Sequence, residues 1–449
     1  MTTAVVLTIP VCSGQSFEST LREGLPGGFH LYSASLYGGY ASSAYPLTSG
    51  GGYLPSTPGL AALGPDASYG ATAIVGWQRD RERTNMSLMY TGNFGGMVRN
   101  SDLNAFSQSL SLGLSKSFRN RWSASLSASG QDSTLAQFLF QPMNLSAVTG
   151  AVSSLDDLAA AFSVGQFSNS QIASMLTGSP ILQSPARSLL LGDRVLSYSA
   201  QAGLDYAATQ RLRFHFGSFT AAGQHRSGNG QSGVPEQTYV MPRSFGGNAG
   251  IGFSYSLSER TEVGVNVEEN LIRNNYQRSN GTTATGFVGR KMGMRWFVQG
   301  HAGASINQVT QELGTGVPKT RQAVGGGTLG FHTFTHTFAG SYERSSSDNF
   351  GFAVGTNTNL MGSWNWHRRG SRYRLFAAFA QQQMRNTGFA SLSGWQANAG
   401  MSTSLSEHAS LSTQYVYMKS SGTYGGNLNE LAVHSVRVSL NWMPTSAQR

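Results

Sequence analysis

His332 and His336 stand four residues apart, a spacing that on a helix sets two imidazoles on one face, ready to share a metal ion. The residues around them alternate, Phe331-His-Thr-Phe-Thr-His336. On a strand the same spacing separates the rings by about 13 Å, too far for a common ion. His215 and His301 have no visible partners in the sequence. The single cysteine, Cys12, supplies neither a ligand set nor an intrachain disulfide. No metal site and no cofactor are therefore expected. Gly325-Gly-Gly-Thr-Leu-Gly330 matches the G-x-G-x-x-G pattern, but no helix follows to receive a phosphate at its N-terminus. These glycines are expected to ease strand curvature or to make room for bulky neighbours. There is no G-x-S-x-G, and a serine triad could be assembled only in three dimensions, so no enzyme activity is expected. What remains is electrostatic: 31 Lys and Arg against 21 Asp and Glu, for a net charge of +10. Such a balance attracts anions, and the dispersal of the basic residues speaks against nucleic acid as the partner.

The elements that must position these charges are legible in Trp122-Ser-Ala-Ser-Leu-Ser-Ala-Ser129, where every second residue is serine. In a strand that period of two makes one face apolar and lines the other with hydroxyls. The pattern recurs over about 29–42, 67–79, 83–95, 103–118, 121–134, 194–208, 211–224, 245–257 and 261–275. It continues over 283–291, 294–307, 322–335, 337–346, 352–367, 371–385, 391–405, 408–420 and 430–443. Charged residues make up 12% of the chain, 56 residues are glycine, and no apolar run reaches the eighteen residues of a membrane helix. The large aliphatics are too few for the core of a soluble sandwich. A closed barrel with lipid outside and water inside fits both the composition and the alternation. Connections alternate between tight, as at Ala208–Arg211, Arg290–Gly293 and His367–Ser371, and longer ones. The reading is thus all-β, a single antiparallel up-and-down barrel of about eighteen strands, with sixteen possible.

Facing follows from the period. Leu110, Leu112 and Leu114 face out with Ser109, Ser111 and Ser115 inside; Ile251, Phe253, Tyr255 and Leu257 face out with Ser254 and Ser256 inside. Trp122, Tyr206, Tyr255, Trp366, Tyr373 and Trp442, near strand ends, would form an interfacial girdle. Arg211, Arg213, Arg295, Arg372, Arg374 and Arg437 would point inward, most of them beside the tight turns. Two readings of these arginines stay open: contact with lipid phosphates through snorkelling, or a positive mouth that draws anions into the lumen. Glu262, Glu268 and Glu343 also read as inward, as lumen salt-bridge partners for the arginines or as tuners of selectivity. Residues 135–193 show no strand period and carry signals for two short helices, near Ser154-Leu-Asp156-Asp157 and Leu176. A loop of this length is expected to pack against the lumen or rim and constrict it. Residues 1–14 read as the remnant of a signal peptide, 27–443 as the barrel and 444–449 as a C-terminal tail.

The closing segment Val436-Arg-Val-Ser-Leu-Asn-Trp442 looks like a barrel-assembly signal. With the alternation over residues 27 to 443, the chain resembles the outer-membrane β-barrel proteins of Gram-negative-type bacteria. The tail after Trp442 departs from their usual aromatic ending, and no motif singles out a subfamily. The resemblance implies an integral outer-membrane location, with outer-membrane lipid and the barrel-assembly machinery as partners. It also implies a channel for polar or anionic solutes or an exported polysaccharide. A non-channel surface anchor is the alternative, and an outer-membrane hydrolase is a more distant one.

Overall fold

Alternation at period two along nearly the whole chain leaves each strand with one face for water and one for something apolar, and closure is the arrangement that serves both. The computed structural model is such a closure. It describes residues 29–42, 65–99, 101, 104–118, 121–134, 194–226, 244–274, 277–311, 317–348, 354–386, 391–424 and 427–444. The first nine strands are β1 (His30–Ala41), β2 (Asp66–Arg81), β3 (Thr84–Met97), β4 (Ala105–Phe118), β5 (Trp122–Thr134), β6 (Arg194–Ala207), β7 (Leu212–Arg226), β8 (Ser244–Ser258) and β9 (Thr261–Asn274). The second nine are β10 (Gln277–Met292), β11 (Trp296–Gln311), β12 (Val317–His332), β13 (His336–Asp348), β14 (Val354–His367), β15 (Tyr373–Asn386), β16 (Ser391–Ser404), β17 (Ala409–Tyr424) and β18 (Asn427–Trp442). Each strand pairs antiparallel with its sequence neighbours in one 18-stranded sheet. The ring closes where β1 meets β18, from Ala34↔Trp442 to Ala41↔Ser435.

The expected strand set is present, with its main differences in extent at the long-loop end. β10 begins at Gln277 rather than 283 and β12 at Val317 rather than 322, while β17 runs to Tyr424 rather than 420 and β18 begins at Asn427 rather than 430. The added residues are mostly polar, and they carry no apolar alternation because they pair above the apolar band of the wall. Two connections expected to be long are therefore short: β9 and β10 are separated by residues 275 and 276, and β17 and β18 by 425 and 426. The 1–14 segment and the 135–193 loop, with Asp156, Asp157 and Leu176, lie outside the described residues, as does all but the first residue of the 444–449 tail.

The tight turns gather at one end of the barrel and follow recognisable turn chemistry. In several, a hydroxyl accepts the amide that starts the next strand: Thr209 Oγ1 from Leu212 N at 2.9 Å, Thr333 Oγ1 from His336 N at 2.9 Å and Ser406 Oγ from Ala409 N at 3.0 Å. Gly293 and Gly370 take positive φ, 63° and 78°, where a side chain would strain the backbone.

Burial is inverted relative to a soluble protein. Leu257 and Ile251 are 55% and 50% exposed on the outer face, while Ser254 and Ser305 on the inner face are 3% and 1% exposed. An apolar skin running round the molecule is stable only against an apolar solvent, and the outer wall is therefore the lipid-facing one. The small buried set, including Phe219, Phe297, Ala378 and Ala380, sits on the inner face.

Candidate functional site: the lumen wall

Register places the alternate hydroxyls and amides on the inner wall. Ser125 is opposite Ser115 and Gly203, and Ser129 opposite Ser111 and Ser199. Ser129 and Ser199 hydroxyls bond at 2.6 Å, as do Ser412 and Ser439. A recess of about 350 Å³ near the tight-turn end is lined by Gln78, Asp80, Asn85, Ser87, Ser115 and Ser125, among others. Asn270 Oδ1, Gln322 Oε1, Ser341 Oγ and Asn359 Oδ1, all inward by register, have no protein partner. In a dry interior each would cost about 1–3 kcal/mol, so this surface is built for water.

The charged residues of this wall are paired differently from the expectation. Glu343 meets His301 at 3.1 Å rather than an arginine. Glu268, 8% exposed, accepts a hydrogen bond from Asn248 Nδ2. Asp205 binds His215 Nδ1 and accepts from Ser123 Oγ at 3.3 Å, with Arg213 close enough to act on the pair electrostatically. His215 and His301 thus do have partners. The Asp205–His215 pair was within reach of the sequence, because the two residues flank the tight β6–β7 turn and fall opposite each other in the hairpin. The His301–Glu343 pair was not, because it joins β11 to β13 across β12. Gly326, between them, is the glycine that this pair requires. A Cβ there would fall 2.9 Å from His301 Cε1 and closer still to Glu343 Oε2 and the Tyr342 carbonyl. The outer two glycines of the Gly325–Gly327 run point to the opposite face.

Arg437 lies over the ring of Tyr37, 4.4 Å from its centroid, a cation–π contact. Tyr37 in turn lies flat on Gly70, where a Cβ would run into its ring, and its hydroxyl donates to the Phe94 carbonyl at 3.4 Å. Arg374, opposite His367 and Ser402, stands near the tight-turn end. Arg213, Arg374 and Arg437 are on strands and face the lumen. Arg211, Arg295 and Arg372 sit in the tight turns ahead of their strands, where a period-two argument does not reach.

The lumen charges are unevenly distributed. Among the described residues, the inner faces of β14 to β18 and β1 carry Arg374 and Arg437 and no carboxylate. Inward carboxylates stand on β2 (Asp66 and Asp80), β6 (Asp205), β9 (Glu262 and Glu268) and β13 (Glu343), with Arg213 on β7 and Lys291 on β10 as inward cations among them. No cluster of three or more metal-ligating side chains occurs among the described residues.

The aromatic side chains expected at strand ends gather toward the tight-turn end of the outer face. Trp122 stacks on Tyr206 at 4.3 Å, and Tyr255 and Tyr373 are 38% and 53% exposed. Trp366 is opposite His336 and Leu375, and Trp442 is opposite Ala34 and Ala409. A second outward group, Phe379, Trp395 and Tyr417, lies nearer the other end, with Trp395 and Tyr417 centroids 4.8 Å apart. Sequence reasoning missed it because these residues sit inside their strands, and only register shows them to be neighbours.

The chain matches no protein-family profile and no curated protein sequence. Among solved structures it is similar to the FrpB iron transporter from Neisseria meningitidis, at 9% identity and a TM-score of 0.42, covering 95% of this chain and 83% of that one. It is also similar to Pseudomonas aeruginosa OccK1 (OpdK), at 12% identity and 0.41, covering 91% and 97%. A third likeness is to P. aeruginosa OccK2 (OpdF) in complex with glucuronate, at 10% identity and 0.45, covering 92% and 97%.

Proposed function

We propose that this barrel is an integral outer-membrane channel that passes polar and anionic solutes, with its tight turns in the periplasm and its long loops outside. The observation that carries this reading is the stretch of lumen wall from β14 to β1, which carries arginine and no carboxylate among the described residues. Arg374 and Arg437 face the lumen on strands that bring no carboxylate, so an anion meets unneutralised guanidinium groups along one side. Elsewhere on the wall, Glu343, Asp205 and Glu268 are held by His301, His215 and Asn248. The hydroxyl and amide recess beside Ser125 exchanges hydrogen bonds with hydroxylated solutes such as sugars, which favours small saccharides or an exported polysaccharide among polar cargoes. An eighteen-stranded ring is wide enough to leave an aqueous lumen.

The test is conductance and ion selectivity of the refolded full chain in planar bilayers. Stable single-channel steps with a reversal potential favouring chloride over potassium are expected. A folded, inserted barrel that carries no current would leave the surface-anchor role instead.

A further inference from the structure

Two features of the outer wall of β9 to β13 meet at one place. Toward the long-loop end this wall is basic. Arg273 and Arg278 are register partners on adjacent strands, both exposed and both outward. Like charges directly opposite each other destabilise a sheet. Neither arginine has an ion pair among the described residues, and their other cross-strand neighbours are Phe245 and Thr310. Lys319, Arg321 and Arg344 face the same way on β12 and β13, and Glu269 on β9 is an outward carboxylate.

Directly below, the wall has almost no side chains. Ala284, Ala304 and Ala323 form one row across β10, β11 and β12, and Gly286, Ala302 and Gly325 form the next. Gly300 and Gly327 continue it. The barrel does not require glycine at all of these positions. A Cβ on Gly286 or Gly300 would meet nothing nearer than 3.9 Å. Around the patch stand Ile306, Leu329 and Tyr342, each 46–47% exposed. The result is a shallow apolar depression with cations along its upper edge.

We propose that this depression is a binding site for a phosphorylated lipid of the outward leaflet, its acyl chains lying on the glycine and alanine rows and its phosphates held by Arg273 and Arg278. A second copy of the chain is the poorer occupant. A two-fold contact through this face would set the same cations against one another, whereas a phosphate neutralises them with charge-assisted hydrogen bonds. The proposal rests on the lipid-facing outer wall and on the orientation given above, and not on channel function.

The test is binding of diphosphoryl lipid A to the detergent-solubilised full chain by native mass spectrometry, with inorganic phosphate as a separate competitor. Wild type is expected to retain the lipid, and millimolar phosphate is expected not to displace it. The double variant Arg273→Gln/Arg278→Gln should bind at least tenfold more weakly. Gly300→Leu, which fills the depression and leaves the arginines, should weaken binding several-fold. Bilayer conductance should be unchanged in all three proteins, which shows intact barrels and separates this result from the channel reading. Equal lipid binding by the double variant and wild type would overturn the proposal. So would full displacement by phosphate, the mark of a free-anion site, or an oligomer of wild type that Gly300→Leu dissociates, the mark of a second copy.

Discussion

Arg374 and Arg437 lie on a run of strands, β14 to β1, whose inner faces bring no carboxylate among the described residues. Replacing both with Gln is expected to move the reversal potential in a salt gradient toward cation preference, with single-channel conductance changed less than two-fold. An unchanged reversal potential would leave those arginines without a role in selection. The Tyr37 ring under Arg437 fixes where that charge stands, so Tyr37→Ala should give part of the same shift without removing a charge. At Gly326 the issue is space. A leucine there meets the Tyr342 carbonyl and the His301–Glu343 pair at once, and overpacking of this kind costs about 1–3 kcal/mol. Urea unfolding in detergent should show the loss, and Gly327→Ala, where a Cβ would lie 3.4 Å from the Gln299 carbonyl, should be nearly neutral.

At the scale of the strand, the period of two sets what each side chain meets. Leu112 is 42% exposed in the middle of β4, opposite Leu88 and Ala128. Leu112→Arg puts a charge on the lipid face, which costs about 2–4 kcal/mol near the bilayer midplane. Folding yield into phosphatidylcholine vesicles should fall accordingly, while Ser111→Arg, one residue away and inward, should fold as wild type does. Equal yields for the two would contradict the facing. The extents of β10 and β12 were hidden because the alternation is apolar only where lipid is, whereas the backbone ladder continues into residues 277–282 and 317–321, which carry no such alternation.

At the scale of the molecule, closure turns scattered charges into a field. With inward charges distributed round the ring, selectivity depends on interactions across an aqueous lumen, which salt screens. The Debye length is about 10 Å at 0.1 M and 3 Å at 1 M, so anion preference should be clear in dilute KCl and fall toward none in molar KCl. Selectivity independent of salt would point to a narrow, partly dehydrated contact instead. The hairpin from β17 to β18 and the seam with β1 complete the ring, so removing Val436–Trp442 should abolish heat-modifiable migration on gels.

The sequence by itself determined the barrel class, a strand number of about eighteen, the tight turns at one end and the face on which residues inside the strands fall, because these follow from local periodicity and turn chemistry. It also contained the Asp205–His215 pair, since one hairpin fixes that register. Only the tertiary structure decided which charges meet. Glu343 meets His301, Glu268 meets Asn248, and Arg437 rests on Tyr37, whose partner strand lies at the other end of the chain. These contacts, the carboxylate-free stretch of lumen wall and the smooth basic-edged patch outside depend on register between strands. A period of two says which way a residue points, but not what stands beside it.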